Sequence, residues 1–506
     1  MFASDYSQDF LAQLSGFFNS RQCSPFLVGG YLRDSLLSIP SNDIDIAVPG
    51  EPQELGQALA QLLAGTYISL SRAHSVCRIV STDQTGQQWN VDLAGFTGSI
   101  EEDLARRDFT VDSLALPLDS RSVEHWMMDS GVTGQWRDAV IDPTGGIADL
   151  AHKRIRVTHS QVFEADPGRL LRAVRLASRL QFRIDPETTN LIRSNAHRIE
   201  NVSPERVRDE FLSILAGDNA RSQLEILDRL DLLCRVIPEL AITKGVEQPI
   251  VHYWDVWGHS IHAVETAELV TKGHQNSAIY SQVPWTQESV DYFGQQVSDG
   301  HTRRTILKLT ALLHDIAKPQ TKAKDATGRT RFLGHSEMGA EIAEERLSNL
   351  RLSSRGIAMV SKMVEQHLRP TNMNQGVDLP TNRAIYRYFR DLGDVAIDTL
   401  YLAMADYLAA KGPEVLPDDW ARHAKMMTHI LLGGTDQTKP DRPARLITGH
   451  DLIQQFNLNP SPQIGVILEH INEAQAAGEV STREQAMAMA AEFLNRQNDP
   501  SQFNQE

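Results

Sequence analysis

Two aspartates one residue apart, Asp43 and Asp45, stand in the alternating run DIDIAV. On a strand, residues two apart point to the same face, so the two carboxylates lie side by side. Like charges that close repel unless a cation sits between them, and hard oxygen ligands suit Mg2+. A solvated turn is the other reading of an isolated Asp-x-Asp. Upstream, Gly29-Gly30 and then Arg33-Asp34 read as a strand, a glycine turn and a helix start. Such an entry bares backbone N–H groups for a triphosphate, although a glycine pair alone also marks ordinary turns. Further along, in DPGRLLRAVRLASRLQF (166–182), Asp166 and Arg169 are three apart and share a helix face. An Asp acceptor beside an Arg donor complements the donor–acceptor edge of cytosine and of adenine. Uracil and guanine present the reverse order and would leave unpaired polar groups, which is costly in a buried pocket. The same spacing also makes a weak surface ion pair. Arg172, Arg175, Arg179 and Arg183 continue at steps of three and four, as a stripe for backbone phosphates or as a solvated helix face. A second constellation is His259, the adjacent pair His314-Asp315, His335, His367 and Asp406. They fall on separate helical stretches that a bundle core would bring together.

These residues need elements to hold them. Over 1–150, short apolar runs (PFLVGG, DIDIAV, VCRIVST, WNVDLAGF) alternate with helical stretches, predicting a small α/β head. From 151 to 245 amphipathic helix patterns dominate, as in RLLRAVRLASRL and ERVRDEFLSILAG. Residues 246–410 are His-rich and helical; 411–440 concentrate Pro, Gly and Asp and read as a long connection; a helical tail closes 411–506. The fold class is α+β: a mixed sheet with helices, then all-α domains. A chain of 506 residues exceeds one hydrophobic core.

Cys23, Cys77 and Cys234 are far apart, which argues against a disulfide framework or a cysteine zinc site and fits a reducing cytoplasm. No apolar run reaches bilayer length, so no membrane partner is expected. The net charge of −16 runs against a nucleic-acid partner, yet 151–210 holds 12 Lys/Arg against 8 Asp/Glu.

The order Gly-Gly-x-x-Arg-Asp, eight residues, then Asp-x-Asp resembles the DNA polymerase β nucleotidyltransferase superfamily. EEDLARRDFTVDSLAL (101–116) resembles the DLxRRDFTxNALA motif of class II tRNA nucleotidyltransferases and bacterial poly(A) polymerases, with Asp112-Ser113 where that motif has Asn-Ala. DPTGGIADL (142–150) and VSPERVRDEF (202–211) resemble the blocks that follow, so the likeness spans roughly 20–240. It implies Mg2+ held by Asp43 and Asp45 for two-metal phosphoryl transfer, with Asp92 as a third carboxylate or a structural one. It also implies nucleotide contacts from Gly29, Gly30, Arg33, Arg106, Arg107 and Asp108, and a protein template in Asp166 and Arg169. Ala165 stands where that family's EDxxR has Glu. Arg172, Arg175 and Arg179 would face RNA.

The order H…HD…H…H…D resembles the HD superfamily of metal-dependent phosphohydrolases. Imidazole with carboxylate suits Ni, Mn, Fe or Zn better than Mg, and such a metal would activate water against a phosphoester. Some bacterial tRNA nucleotidyltransferases carry such a domain behind a class II head, and the tail 446–486 resembles their C-terminal part. The resemblance implies addition of CMP, with AMP left open, from CTP and ATP to a tRNA 3′ end. CCA-adding enzymes carry a flexible loop before RRDFT, whereas here only FTGSI (96–100) intervenes, the pattern of CC-adding enzymes. Full CCA addition, poly(A) synthesis, and an HD phosphohydrolase with an RNA-binding head are the alternatives.

Overall fold

The computed structural model describes residues 5–71, 75–119, 122, 135–249, 251–273, 277–373, 379–438 and 445–497. The chain forms two compact units, Met1–Phe211 with Ile226–Val236, and Leu212–Glu225 with Ile237–Glu506. The expected neck, 151–245, is divided between them.

The first unit is built on a six-stranded sheet. Its strands are β1 (Phe26–Val28), β2 (Asp43–Pro49), β3 (Thr66–Ser71), β4 (Val76–Thr82), β5 (Gln88–Phe96) and β6 (Ala115–Pro117), in the order β3-β4-β5-β2-β1-β6. The β2–β5 pair is parallel and the other pairs are antiparallel. In β2, Ile44, Ile46 and Val48 are buried, and in β5 so are Val91 and Leu93. Each such aliphatic contributes about 1.5–3 kcal/mol on burial. A one-residue slip would turn Asp43 and Asp45 into that core, so the apolar residues specify the register that leaves the carboxylates on the other face.

Helix Arg169–Leu180 buries Leu170, Leu171, Ala173, Val174, Leu176, Ala177 and Leu180, which leaves its arginines on the opposite side. Asp166 is not part of this helix. It closes the short helix Val162–Ala165 in an extended conformation (φ −149°, ψ 97°), because Pro167 disfavours helical geometry at the residue before it.

The second unit is helical. Val256–Val270, Arg303–Leu313, His335–Asn349, Ser354–Gln366 and Ala396–Lys411 form its centre. The expected connection at 411–440 is corrected: Pro417–Thr438 is a 22-residue helix. Trp420, Ala424, Met427 and Ile430 are buried at helical spacing, and Pro417 occupies the first turn, where a missing N–H is harmless. Gly434 is required by packing, since a Cβ there would lie 1.9 Å from the Phe389 ring. Helices Gly449–Phe456, Pro462–Ala476 and Arg483–Gln497 close the chain around their own core of Leu452, Ile467, Ile471 and Ala490. Among the described residues no helix is long and apolar enough to cross a membrane.

Candidate functional sites

In the first unit, the parallel register sets Asp45 opposite Asp92 and Asp43 opposite Asn90. Asp43 is exposed and accepts a hydrogen bond from Asn90 Nδ2 at 2.7 Å. Asp45 accepts from the Tyr31 amide at 3.3 Å. Burial pushes the Asp45 carboxyl up to about 6, helped by Asp92 and Asp112 and opposed by the Tyr31 amide and Arg107. Asp92 accepts from Nε and Nη2 on one edge of the Arg78 guanidinium, each at 2.7 Å. Gly29 adopts φ +64°, and a Cβ there would lie 3.2 Å from Asp45 Oδ2 and 3.3 Å from an Arg107 nitrogen. The glycine thus lets the turn close onto the carboxylates and Arg107. A raised carboxyl among other carboxylates has a deficit of positive charge, which a cation supplies. The oxygen donor set suits Mg2+.

The other arginines read from the sequence have different partners. Arg33 is buried and bonds Asp34 and Asp112. Arg179 meets the other oxygen of Asp34 at 2.7 Å, and Arg172 meets Asp108 at 2.9 Å and Asp112 at 3.7 Å. The result is a ladder, Arg179–Asp34–Arg33–Asp112–Arg172–Asp108, joining helix Gly29–Leu36, the RRDFT segment and helix Arg169–Leu180. Arg175 pairs with Glu210 at 2.6 Å. Arg172, Arg175 and Arg179, read from the sequence as a stripe for phosphates, each pair with a carboxylate while staying partly exposed, and Arg33 is buried between two carboxylates. Arg106 is exposed and pairs with Asp103 at 3.1 Å, as does Arg107.

Asp166 and Arg169 do meet, at 3.6 Å, although not along one helix. Arg206 grips Asp166 with two bonds of 2.7 Å. Burial of Asp166 is outweighed by Arg206, so its carboxyl is held below the usual range. Arg206 lies in the block VSPERVRDEF, 40 residues downstream, and nothing local in the sequence ties it to Asp166.

The second unit brings all six of its candidate residues together. His259 Nε2 lies 3.0 Å from His314 Nε2, 3.0 Å from Asp406 Oδ1 and 3.2 Å from Asp315 Oδ2. His335 Nε2 and His367 Nε2 approach Asp315 Oδ1 at 3.4 and 3.8 Å. Asp315 is thereby shared by two candidate metal-binding groups, His259–His314–Asp315 and Asp315–His335–His367. Three imidazoles direct Nδ1 to the carbonyl three residues earlier: His314 to Ala311 (2.8 Å), His335 to Phe332 (2.6 Å) and His367 to Val364 (2.6 Å). A neutral imidazole that donates Nδ1–H to a carbonyl turns its Nε2 lone pair to the centre; against the effect of burial, Asp315 and Asp406 raise His314 to about 10, so without a cation beside it His314 carries the proton itself. Burial pushes His367 down to about 4, which keeps it neutral. His335 Nε2 is buried without a hydrogen-bond partner, and two imidazole nitrogens 3.0 Å apart need a shared proton or cation between them. This nitrogen-rich donor set fits a borderline transition ion. Lys318, three residues after Asp315, binds its Oδ2 at 2.5 Å and Gln248 at 2.7 Å. Its spacing was a signal that the sequence reading left unused.

Four family models match the chain. They are the poly A polymerase head domain (25–156), the probable RNA and SrmB-binding site of polymerase A (181–243), the HD domain (256–411) and the putative tRNA nucleotidyltransferase domain 2 (441–491). An A-adding tRNA nucleotidyltransferase of Deinococcus radiodurans is 30% identical over 469 residues, covering 91% of this chain and 94% of the relative. A CC-adding tRNA nucleotidyltransferase of Thermus thermophilus is 28% identical over 474 residues, covering 92% of each. The fold is similar to that of the Thermotoga maritima CCA-adding enzyme complexed with tRNA, with a TM-score of 0.61 at 20% identity over 97% of this chain and 96% of that one. With the head carboxylates in register, the HD residues converged and a relative matched over nearly its whole length, the chain belongs to the class II tRNA nucleotidyltransferases that carry an HD domain.

Proposed function

We propose that this chain adds CMP to the 3′ end of tRNA from CTP and stops after CC. The observation that carries the specificity is the connection between β5 and helix Ile100–Ala105. Only Thr97, Gly98 and Ser99 intervene, and they are locked: Ser99 caps the helix by accepting from the Glu102 amide, and the Glu102 side chain returns to the Ser99 amide. Such a reciprocal cap leaves little freedom to re-aim between C and A. Asp43 and Asp45, with Asp92 beside them, would hold Mg2+, which when bound favours attack of the 3′-hydroxyl on the α-phosphate. Gly29, Gly30, Arg107 and the exposed Arg106 face the triphosphate and ribose, while Asp108 and Arg33 position them. Asp166 and Arg169 read the base, with Arg206 aiming Asp166. The reaction belongs in the cytoplasm with its tRNA and nucleotides.

The test is addition to a tRNA ending at its discriminator base, with Mg2+ and CTP, ATP or both, read at single-nucleotide resolution. Two additions with CTP and none from ATP are expected. A third, ATP-dependent residue would mean CCA addition. Growth only on a tRNA already ending in CC would mean A addition, the activity in the name of the Deinococcus relative. A long homopolymer would mean poly(A) synthesis.

A second activity has its own support. Six converging ligands from five helices or their ends favour phosphoester hydrolysis at the HD centre, with Ni, Mn, Fe or Zn as the metal. His314→Ala should abolish hydrolysis of p-nitrophenyl phosphate and leave CMP addition unchanged. Hydrolysis surviving in His314→Ala would refute the assignment.

A further inference from the structure

The sheet of the first unit lines up four side chains across four strands. Ile68 on β3 stands opposite Arg78 on β4, Arg78 opposite Asp92 on β5, and Asp92 opposite Asp45 on β2. Residues directly opposite one another share a face, so all four lie on the face of the carboxylates. The contacts proposed for the nucleotide are at one end of this row. The glycine turn follows β1, on the far side of β2 from β5, and closes onto Asp45. Helix Arg169–Leu180, which begins with the base-reading Arg169, is tied to the helix after that turn through Arg179 and Asp34. At the other end of the row, β4 and β3 carry no Asp or Glu, and Ile68 on the edge strand is exposed apolar surface.

Phosphoryl transfer sets the attacking and leaving oxygens in line across phosphorus. With the triphosphate on the glycine turn, pyrophosphate leaves toward β1, and the attacking 3′-hydroxyl comes from the opposite side, over β5 and β4. Arg78 stands on that path. Its Nε and Nη2 hold Asp92, and among the described residues its remaining nitrogen, Nη1, has no partner. The side chain is partly open to solvent. An arginine that did no more than neutralise Asp92 would oppose the cation this carboxylate is placed to share. An anionic partner on Nη1 offsets that charge, and a phosphodiester oxygen matches the two N–H groups there.

We propose that Arg78 binds the tRNA primer: Nη1 takes the phosphodiester that joins its last two nucleotides, while Nε and Nη2 keep Asp92 facing the incoming 3′-hydroxyl. This rests on reading Asp43, Asp45 and Asp92 as the transfer site. In the step it serves, the 3′-hydroxyl oxygen attacks the α-phosphorus of CTP. A P–O bond to the tRNA forms, the P–O bond to pyrophosphate breaks, and the hydroxyl proton passes to solvent.

The test compares two tRNAs ending at the discriminator base, identical except that in one the last linkage is an uncharged methylphosphonate. For the parent protein with Mg2+ and CTP, the neutral linkage should lower kcat/KM for tRNA about tenfold, the size of one hydrogen bond to a charged group, with the KM for CTP unchanged. Arg78→Gln keeps a donor for Asp92 but carries no charge. It should treat the two tRNAs alike, near the parent's value on the neutral one. Arg78→Lys restores a cation and should regain a difference between them. An equal loss in the parent and in Arg78→Gln would overturn the proposal and leave Arg78 only its bond to Asp92. A parent indifferent to the linkage would overturn it too. Binding of the two tRNAs without Mg2+ or CTP gives a readout independent of turnover: the parent should hold the charged one more tightly, and Arg78→Gln both equally. If the parent adds CMP to neither tRNA, the reading of the transfer site has failed, and this binding difference alone decides. Equal binding of both tRNAs by the parent would then remove the primer contact.

Discussion

Asp45→Asn should abolish CMP addition and make the protein more stable. The loss of activity follows from the place of Asp45 in the carboxylate group. Removing one ligand from a site that supplies several kcal/mol of charge stabilisation should lower kcat by on the order of 10³ or more. The gain follows from burial. Asp45 is a carboxyl raised from 3.8 to about 6 in the folded chain. An acid raised in the folded state costs stability wherever it is ionised, so the penalty is absent below about pH 4, grows between pH 4 and 6, and is complete above. The side chain stays partly open to solvent, which trims the penalty to about 1–2 kcal/mol. Thermal unfolding of both proteins without metal should give Tm values that coincide at low pH and separate through that window, with Asp45→Asn higher. Equal Tm values at pH 7 would show that Asp45 is solvated well enough to ionise freely, and full activity in the variant would remove it from the site.

The second large effect is expected at Asp112. This carboxylate is buried, one oxygen bonds Arg33 and the other has no hydrogen-bond partner while facing Arg172 at 3.7 Å. Asp112→Ala leaves Arg33 short of a partner in a buried setting, a loss of about 3–5 kcal/mol. Asp112→Asn keeps an acceptor for Arg33 and restores the residue usual in the RRDFTxNALA motif, so a smaller loss of about 1–2 kcal/mol is expected. Because the ladder ties helix Arg169–Leu180 to the glycine turn, loosening it should also relax base choice. Incorporation of UMP relative to CMP should rise in Asp112→Asn. A stability loss without any change in that ratio would reduce the ladder to a structural role.

The difference between Asp45 and Asp112 shows what a sequence can carry. Asp43, Asp45 and the glycine turn were legible because their relation is local: strand periodicity puts two carboxylates on one face. The HD residues were legible because few other arrangements of His and Asp on separate helices make sense. The ladder was not. Arg33 meets Asp112 across 79 residues and Arg179 meets Asp34 across 145. An arginine stripe on a helix looks the same whether it faces phosphate or a buried carboxylate. The break at Asp166 was locally encoded by Pro167 but was overridden by the amphipathic pattern that follows it. The helix Pro417–Thr438 was hidden by composition, since its Gly433-Gly434 pair serves close packing against helix Asn382–Leu392 and not a turn.

The cap at Ser99 has a consequence for how such a chain can change over generations. Lengthening the segment before helix Ile100–Ala105 would separate Ser99 and Glu102 from their reciprocal bonds. A helix cap is worth about 0.5–2 kcal/mol, a sizeable share of the stability of a marginally stable domain. An insertion that broadened the nucleotides used would thus begin as a folding defect. Descendants could keep it only after a stabilising change elsewhere, so the order in which mutations arrive, and not the chemistry of the pocket alone, would govern whether this lineage could widen its repertoire.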